Sequence, residues 1–184
     1  MTTRENSARA LGYIAAVSTD RRGVFTMSGG VVPALRLLSE GSMTANEFSG
    51  RALGNRVFAE WRRCVVDAGA VPAMVALLSE GSMTAKENSA WALGHLAAGS
   101  DDLCGVIVDA GAVPVLVALL SEGSMTAKEN SAWALGHLAA GSDDLCGVIV
   151  DAGAVPVLSA LLSEGSIASR ENCRNALSYL TANI

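Results

Sequence analysis

Three side chains that can bind another molecule, an amide, an indole and an imidazole, recur together in two stretches of the sequence. The two sets are Asn88, Trp91 and His95, and Asn130, Trp133 and His137. Residues three or four positions apart share one face of a helix. An indole can cover the apolar stem of a peptide side chain or face a cation, and amide and imidazole groups can bond to an extended backbone. The spacing therefore predicts a peptide-binding stripe, unless each tryptophan packs against a neighbouring helix and each histidine faces solvent.

The sequence offers little for catalysis or metal binding. Its only histidines, His95 and His137, occupy equivalent positions of a duplicated segment, and no cysteine lies in a CxxC pair or at metal-ligand spacing from a histidine. The glycines punctuate helices and form no phosphate-binding loop between a strand and a helix. We therefore expect no enzymatic activity, no cofactor and no metal site.

The helix that carries these side chains belongs to an internal repeat. Residues 68–109 and 110–151 are each 42 residues long and differ at two positions, 73/115 and 74/116, so 40 of the 42 agree. Weaker copies of the helix lie at 2–17, 44–59 and 168–182. Such self-similarity is typical of stacked repeat proteins. The predicted organisation is a single domain with a lone third helix over 1–17 and approximate repeats over 18–59, 60–100, 101–142 and 143–184.

Start and stop signals divide one repeat into three helices. Ser100 is expected to cap a short helix with Leu103, Val106 and Ile107 on its apolar face. A second helix is expected to begin near Pro114. Proline is tolerated at the start of a helix because a backbone N–H there has no partner within the helix. Thr126 and Glu129 have the spacing of a capping box, which predicts that Thr126 caps the third helix.

A glycine inside the predicted third helix points to close packing. Gly94 costs the helix up to roughly 1 kcal/mol relative to alanine. That cost predicts a close neighbour at this position.

Composition narrows the partners that we expect. The chain has 184 residues, of which 51% are hydrophobic and 4% aromatic, and no apolar run approaches the ~20 residues that span a bilayer. Net charge is +4 over residues 1–63 (nine Arg, five acids) and -9 over residues 64–184 (four basic residues, thirteen acids). The basic part is short and has few aromatic residues, so we expect neither nucleic acid nor a membrane as partner. Cys64, Cys104, Cys146 and Cys173 suggest unpaired thiols and hence an intracellular location, cytoplasmic or nuclear.

The segment AGAVPVLVALL followed by ENSAWALGHLA resembles the armadillo repeat of importin-α and β-catenin relatives. The resemblance extends over the whole chain. It implies an all-α fold, a right-handed α-solenoid of stacked three-helix repeats whose third helices line a concave groove. In that family the groove binds extended peptides of partner proteins.

The resemblance also assigns positions to the groove. The family's tryptophan falls on Trp91 and Trp133, whereas Arg9, Arg51 and Asn175 stand there in other copies. The family's groove asparagine falls on Asn55 alone, and Tyr13, His95, His137 and Tyr179 replace it elsewhere. No repeat therefore has both members of the ladder. The predicted groove residues are Asn88, Trp91, His95, Asn130, Trp133, His137, Asn55, Arg51 and Arg9.

Two functions are compatible with these patterns. The first is a protein–protein interaction module that binds an extended peptide segment in the concave groove. The alternative is a scaffold segment of a longer repeat protein that contacts only its neighbouring repeats. The apolar ends of such a stack could also associate with another copy, giving a homo-oligomer.

Overall fold

The structure, a computed structural model, describes residues 66–67, 69–98 and 100–182. The described residues form eight helices and contain no strand. The helices are α1 (Ala70–Glu80), α2 (Met83–Ala97), α3 (Asp101–Asp109), α4 (Ala112–Glu122), α5 (Met125–Ala139), α6 (Asp143–Asp151), α7 (Ala154–Glu164) and α8 (Ile167–Ala182). The predicted helix over 1–17, the repeat over 18–59, and Arg9, Arg51, Asn55 and Cys64 lie outside the described residues.

The chain divides into two compact units between Ala92 and Leu93, within α2. In the second unit, α3–α5 and α6–α8 form two successive groups of three helices. Each helix packs against its counterpart, α6 on α3, α7 on α4 and α8 on α5, and the pair of α5 and α8 makes the most extensive contact. This is the packing expected of stacked repeats, because each group buries its apolar side against the next.

A glycine with a left-handed backbone separates the first and second helices of each group. Gly111 has φ 81° and precedes α4, and Gly153 has φ 79° and precedes α7. The helices on either side meet at 80° and 79°. A β-carbon disfavours this backbone region, so glycine allows the sharp turn. The second helix begins at Ala112, two residues before the predicted start at Pro114. Pro114 is therefore the third residue of the helix, where a backbone N–H would still have no partner within the helix.

Serine, and not threonine, caps the third helices. The hydroxyl Oγ of Ser124 accepts the backbone N–H of Ala127 at 3.1 Å, and Ser82 and Ser166 make the equivalent bonds at 3.1 and 3.0 Å. The predicted capping box between Thr126 and Glu129 is wrong. Thr126 already lies within α5 and is exposed. The signal for this cap is the serine that follows the glycine at the end of each second helix.

The short first helix buries two of the three residues predicted for its apolar face, Leu103 and Ile107, but not Val106. Leu103, Cys104 and Ile107 are buried, whereas Val106 is 41% exposed, because it lies about 100° around the helix from Ile107. The N-terminal cap of the first helix also differs between α3 and α6. The Leu103 N–H bonds to the backbone carbonyl of Ser100 at 3.1 Å, and the Ser100 side chain makes no cap bond.

Leucine, alanine and valine fill the interior. In the second helices, Leu116, Leu120 and Leu158 are fully buried. Alanines on the third helices, including Ala134 and Ala176, are also fully buried. Small residues let helix axes approach closely, so the third helices stack on alanine and glycine.

Over the part of the chain that the structure describes, no single helix has the length and apolar character needed to cross a membrane. Two bent pairs, α3 with α4 and α6 with α7, reach that length and composition only together.

Candidate functional site

The indole of Trp133 on α5 lies in a defined packing site, which we call the Trp133 site. Its ring centroid is 4.5 Å from that of His95 and 4.8 Å from that of His137, and both pairs are edge-to-face, with interplanar angles of 63° and 82°. This is a favourable geometry for aromatic rings. The third wall is Gly94 on α2, where an added β-carbon would lie 2.4 Å from Trp133 Cε3 and 2.5 Å from Cζ3. The close packing predicted at Gly94 is confirmed.

The Trp133 site combines the two interpretations of the sequence. The spacing places His95, Trp133 and His137 together, as the predicted stripe requires. The indole also packs against the neighbouring third helix, which was the alternative. Because Trp133 remains only half-buried, part of its surface is available to a ligand.

The equivalent position in the next repeat has a cleft instead of an indole. Asn175 on α8 stands 42 residues after Trp133, and Tyr179 stands 42 residues after His137. A cleft of about 350 Å³ lies here, and its lining consists of Trp133, Gly136, His137, Glu171, Asn172, Asn175, Ser178 and Tyr179. We call it the Asn175 cleft. Its volume lies at the small end of the ~300–1,000 Å³ typical of ligand pockets.

Gly136 lines this cleft, and Gly94 lines the Trp133 site in the preceding repeat. An added β-carbon at Gly136 would lie 3.6 Å from its nearest neighbours, the atoms of Ala176. That is an ordinary van der Waals distance. Gly94 has no such space because the Trp133 ring covers it.

Polar groups near the predicted stripe link successive third helices. The side-chain amide of Asn172 donates from Nδ2 to the backbone carbonyl of Glu129 at 3.1 Å. The Ser166 hydroxyl donates to the Glu129 carboxylate. Glu129 therefore contacts the next repeat instead of completing a capping box. Asn130 is the counterpart of Asn172 in the preceding repeat, so the same position can serve packing as well as binding.

Burial changes the protonation of one imidazole at the site. Desolvation lowers the pKa of His137 below its ordinary 6.5, because an imidazolium is costly to bury. His137 is therefore a neutral ring at neutral pH, with hydrogen-bond donor and acceptor capacity on its two nitrogens.

Buried thiols fix the ends of the third helices. Cys104 Sγ lies 3.5 Å from the carbonyl oxygen of Ala97 and 3.8 Å from that of His137, and Cys146 Sγ lies 3.1 Å from the carbonyl oxygen of Ala139. Burial, with the negative charge of Asp101 second, raises the pKa of Cys104 to about 11. Burial also raises the pKa of Cys173. The thiols of Cys104 and Cys173 are therefore protonated and pack as small apolar groups.

The remaining predicted site residues stay predictions. Asn88, Trp91 and Asn130 are half-buried on α2 and α5, and Arg9, Arg51 and Asn55 lie outside the described residues. Of the cleft residues, the predicted groove set contains Trp133 and His137 and misses Gly136, Glu171, Asn172, Asn175, Ser178 and Tyr179. The signal was present in the sequence, because Asn175 replaces tryptophan in the last copy while the preceding copy keeps Gly136. Among residues 66–67, 69–98 and 100–182, no three His, Cys, Asp or Glu side chains gather as a metal site would require.

Comparison with known proteins identifies the repeat. The family model of the Armadillo/beta-catenin-like repeat matches residues 62–98, 100–140 and 142–182. No curated protein matches the sequence.

Several solved structures are similar to this chain. An engineered protein has a TM-score of 0.92 and 32% identity, covering 97% of this chain and 73% of its own. The designed armadillo repeat protein YIII(Dq)4CqI has a TM-score of 0.91 and 25% identity, covering 98% and 76%. A structure of computationally designed armadillo repeat proteins for modular peptide recognition has a TM-score of 0.90 and 27% identity, covering 95% and 74%.

The family match covers more than half of the chain, and the predicted all-α solenoid of three-helix repeats is confirmed. Three repeats with these helices, at this spacing, establish that the chain belongs to the Armadillo/beta-catenin-like repeat family.

Proposed function

We propose that this protein binds an extended peptide segment of a partner protein along the surface of its third helices. The observation that carries the proposal is the line of aromatic and polar groups on α5 and α8, where the Trp133 site and the Asn175 cleft follow each other. Membership of the armadillo repeat family supports it, and so does the likeness to designed armadillo repeat proteins for modular peptide recognition.

The chemistry of this surface suits a peptide in extended conformation. Indole and imidazole faces cover apolar stems, whereas the side chains of Asn175 and Ser178 offer hydrogen-bonding groups at the cleft. An extended peptide needs both, because its backbone amides lack intramolecular partners. The groove formed by the third helices would supply them repeat by repeat.

A selection followed by mutagenesis tests the proposal. Peptides selected from a random-sequence library on the full chain would be titrated by fluorescence anisotropy against wild type, Asn175→Ala and Tyr179→Ala. Both substitutions lie on exposed positions of α8. We expect each to weaken binding, by about tenfold where the side chain is an anchor.

Matched controls lie on the first helices. Val106→Ala and Val148→Ala remove exposed apolar groups, at 41% and 43% exposure, from α3 and α6, which are not third helices. They are expected to leave affinity unchanged. Equal losses in the α3 and α6 variants, or failure to select any peptide, would contradict the proposal. Trp133→Ala is a poor probe because its ring also packs against Gly94.

A further inference from the structure

We propose that the Asn175 cleft binds one aromatic side chain of the partner peptide, with tryptophan as the preferred residue. The ring would lie over Gly136 between His137 and Tyr179. This inference rests on the proposed function for the origin of the ligand. The cleft itself is argued from the internal symmetry of the repeats.

The chain contains its own precedent for the bound state. In the Trp133 site an indole lies against a third-helix glycine, with the ring centroids of His95 and His137 at 4.5 and 4.8 Å. The Asn175 cleft repeats this frame 42 residues later with Gly136, His137 and Tyr179. The indole has been exchanged for the smaller Asn175 side chain, and Tyr179 stands where His137 flanks Trp133.

The replacement leaves space of a suitable size and shape. The cleft measures about 350 Å³, and the floor at Gly136 would accept even an added β-carbon at 3.6 Å from Ala176. At Gly94 the same glycine backbone is in direct contact with the ring. Gly136 is therefore not covered by a ring as Gly94 is, because nothing lies closer than Ala176 to the added β-carbon.

The lining favours an aromatic ring over an aliphatic cation. Edge-to-face contacts are available to His137 and Tyr179, both of which line the cleft. Burial keeps His137 uncharged at neutral pH, so no imidazolium opposes an apolar ring there. Glu171 is the one acidic residue of the lining, and it is exposed. Asn172 and Ser178 can accept the indole N–H at the rim.

The direct test uses a single residue as ligand. N-acetyl-tryptophanamide would be titrated into the full chain and followed by ¹H–¹⁵N correlation spectra, with N-acetyl-lysinamide as the competing probe. We expect saturable shifts of the Gly136, His137 and Tyr179 amides with the tryptophan probe, and weaker binding of the lysine probe. Lysine binding that equals or exceeds tryptophan binding at these amides would overturn the proposal.

Two substitutions should block the cleft in different ways. Asn175→Trp supplies the ring from within the chain, and Gly136→Ala places a methyl group where Gly94 shows that a ring needs a bare backbone. Each should weaken the tryptophan probe by at least about tenfold, since a lost aromatic contact exceeds ~1.4 kcal/mol with its buried area. Val148→Ala is the matched control and should bind as wild type does. Circular dichroism confirms folding, and either blocking variant suffices if the other is misfolded.

The outcomes separate this inference from the peptide-binding function. If selected peptides bind wild type and Asn175→Trp equally, the cleft assignment fails and the peptide-binding proposal stands. If the tryptophan probe binds in the cleft but no peptide is selected, the cleft assignment holds and the wider function fails. Probe binding that both blocking variants retain would refute the cleft.

Discussion

Gly94 and Gly136 hold the same position in successive third helices, and the local sequences around them are identical from Thr84 to Gly99 and from Thr126 to Gly141. Their surroundings nevertheless differ. Gly94 is covered by the indole of Trp133, whereas Gly136 faces Ala176 with space to spare. The comparison shows that the role of a residue in a repeat protein depends on the next repeat as much as on its own.

Repeats with the same sequence can therefore present different surfaces. The Trp133 site is a filled interface, and the Asn175 cleft is an accessible concavity formed on the same frame. Two replacements within this frame separate them, Asn175 for tryptophan and Tyr179 for histidine. Recognition in such a protein can be changed by the few positions that vary while the stack is preserved.

The largest expected effect comes from removing the indole of the filled site. Trp133→Ala should lower the free energy of unfolding by about 2 kcal/mol, less than the ~3–5 kcal/mol of a fully buried tryptophan because Trp133 is half-buried. Tyr179→Ala, at a residue 47% exposed, should cost clearly less. Urea denaturation followed by circular dichroism measures both. Equal losses would mean that the two sites do not differ as described.

Replacing Gly94 or Gly136 by alanine should change the free energy of unfolding with opposite signs. Gly94→Ala places a β-carbon 2.4 Å from the Trp133 ring and should destabilise by about 1–2 kcal/mol, because overpacking exceeds the gain in helix propensity. Gly136→Ala has room at 3.6 Å and should stabilise by up to about 1 kcal/mol. Thermal and urea unfolding of the two variants side by side would give the signs. Two shifts of the same sign would remove the basis of the comparison.

A double substitution tests whether the Trp133 indole is what makes Gly94→Ala destabilising. If the indole is what excludes a side chain at Gly94, Gly94→Ala should cost much less in a Trp133→Ala background. The coupling free energy from the double-mutant cycle should be about 1 kcal/mol or more. Strict additivity would place the strain elsewhere.

An indole introduced at position 175 should fill the Asn175 cleft and make it resemble the Trp133 site. Asn175→Trp is expected to raise the free energy of unfolding by about 1 kcal/mol, since the new ring gains buried area and edge contacts with His137 and Tyr179. Asn175→Ala is the control for simply losing the amide. No gain in stability, with the fold intact, would indicate that the frame around Gly136 does not accept an indole.

Acidification should weaken the stack through His137, which contributes to both regions. Its pKa is lowered in the folded protein by burial, so below about pH 6.5 the unfolded chain binds the proton more readily. The stabilisation is present above pH 6.5 and is lost as pH falls from there through the lowered folded pKa. His137→Gln should flatten the stability profile in this window. A slope that persists in the variant would assign the effect to other groups.

The smallest effect concerns reactivity and not stability. Cys104, with its pKa raised to about 11 from an ordinary 9.0, should form roughly a hundredfold less thiolate than an exposed thiol. Iodoacetamide labelling of the native chain should therefore be slow and should become fast in urea. Trypsin places Cys104 in a peptide over 87–128 and Cys146 in one over 129–170, which differ in sequence and can be distinguished by mass. Rapid native labelling at Cys104 would contradict its burial.

Much of the fold could be predicted from local signals. The three helices of a repeat, the turns at glycine and the burial of Leu103 and Ile107 follow from periodicity and punctuation. The cap was assigned to Thr126 although Ser124 makes it, because both residue types cap helices and only the backbone geometry selects one. The apolar spacing also predicts that Val106 is buried, and only the packing of α3 shows that this side chain faces outward.

The sequence by itself determined the repeat, its three helices and the helical face on which Trp133 and His137 lie. Those properties depend on residues close in the chain. The tertiary structure decided which neighbour each face meets: that Gly94 is covered by an indole, that Glu129 bonds to Ser166, and that a cleft opens at Asn175. The physical reason is that stacking joins residues about one repeat apart, and the space between helices depends on side chains from both.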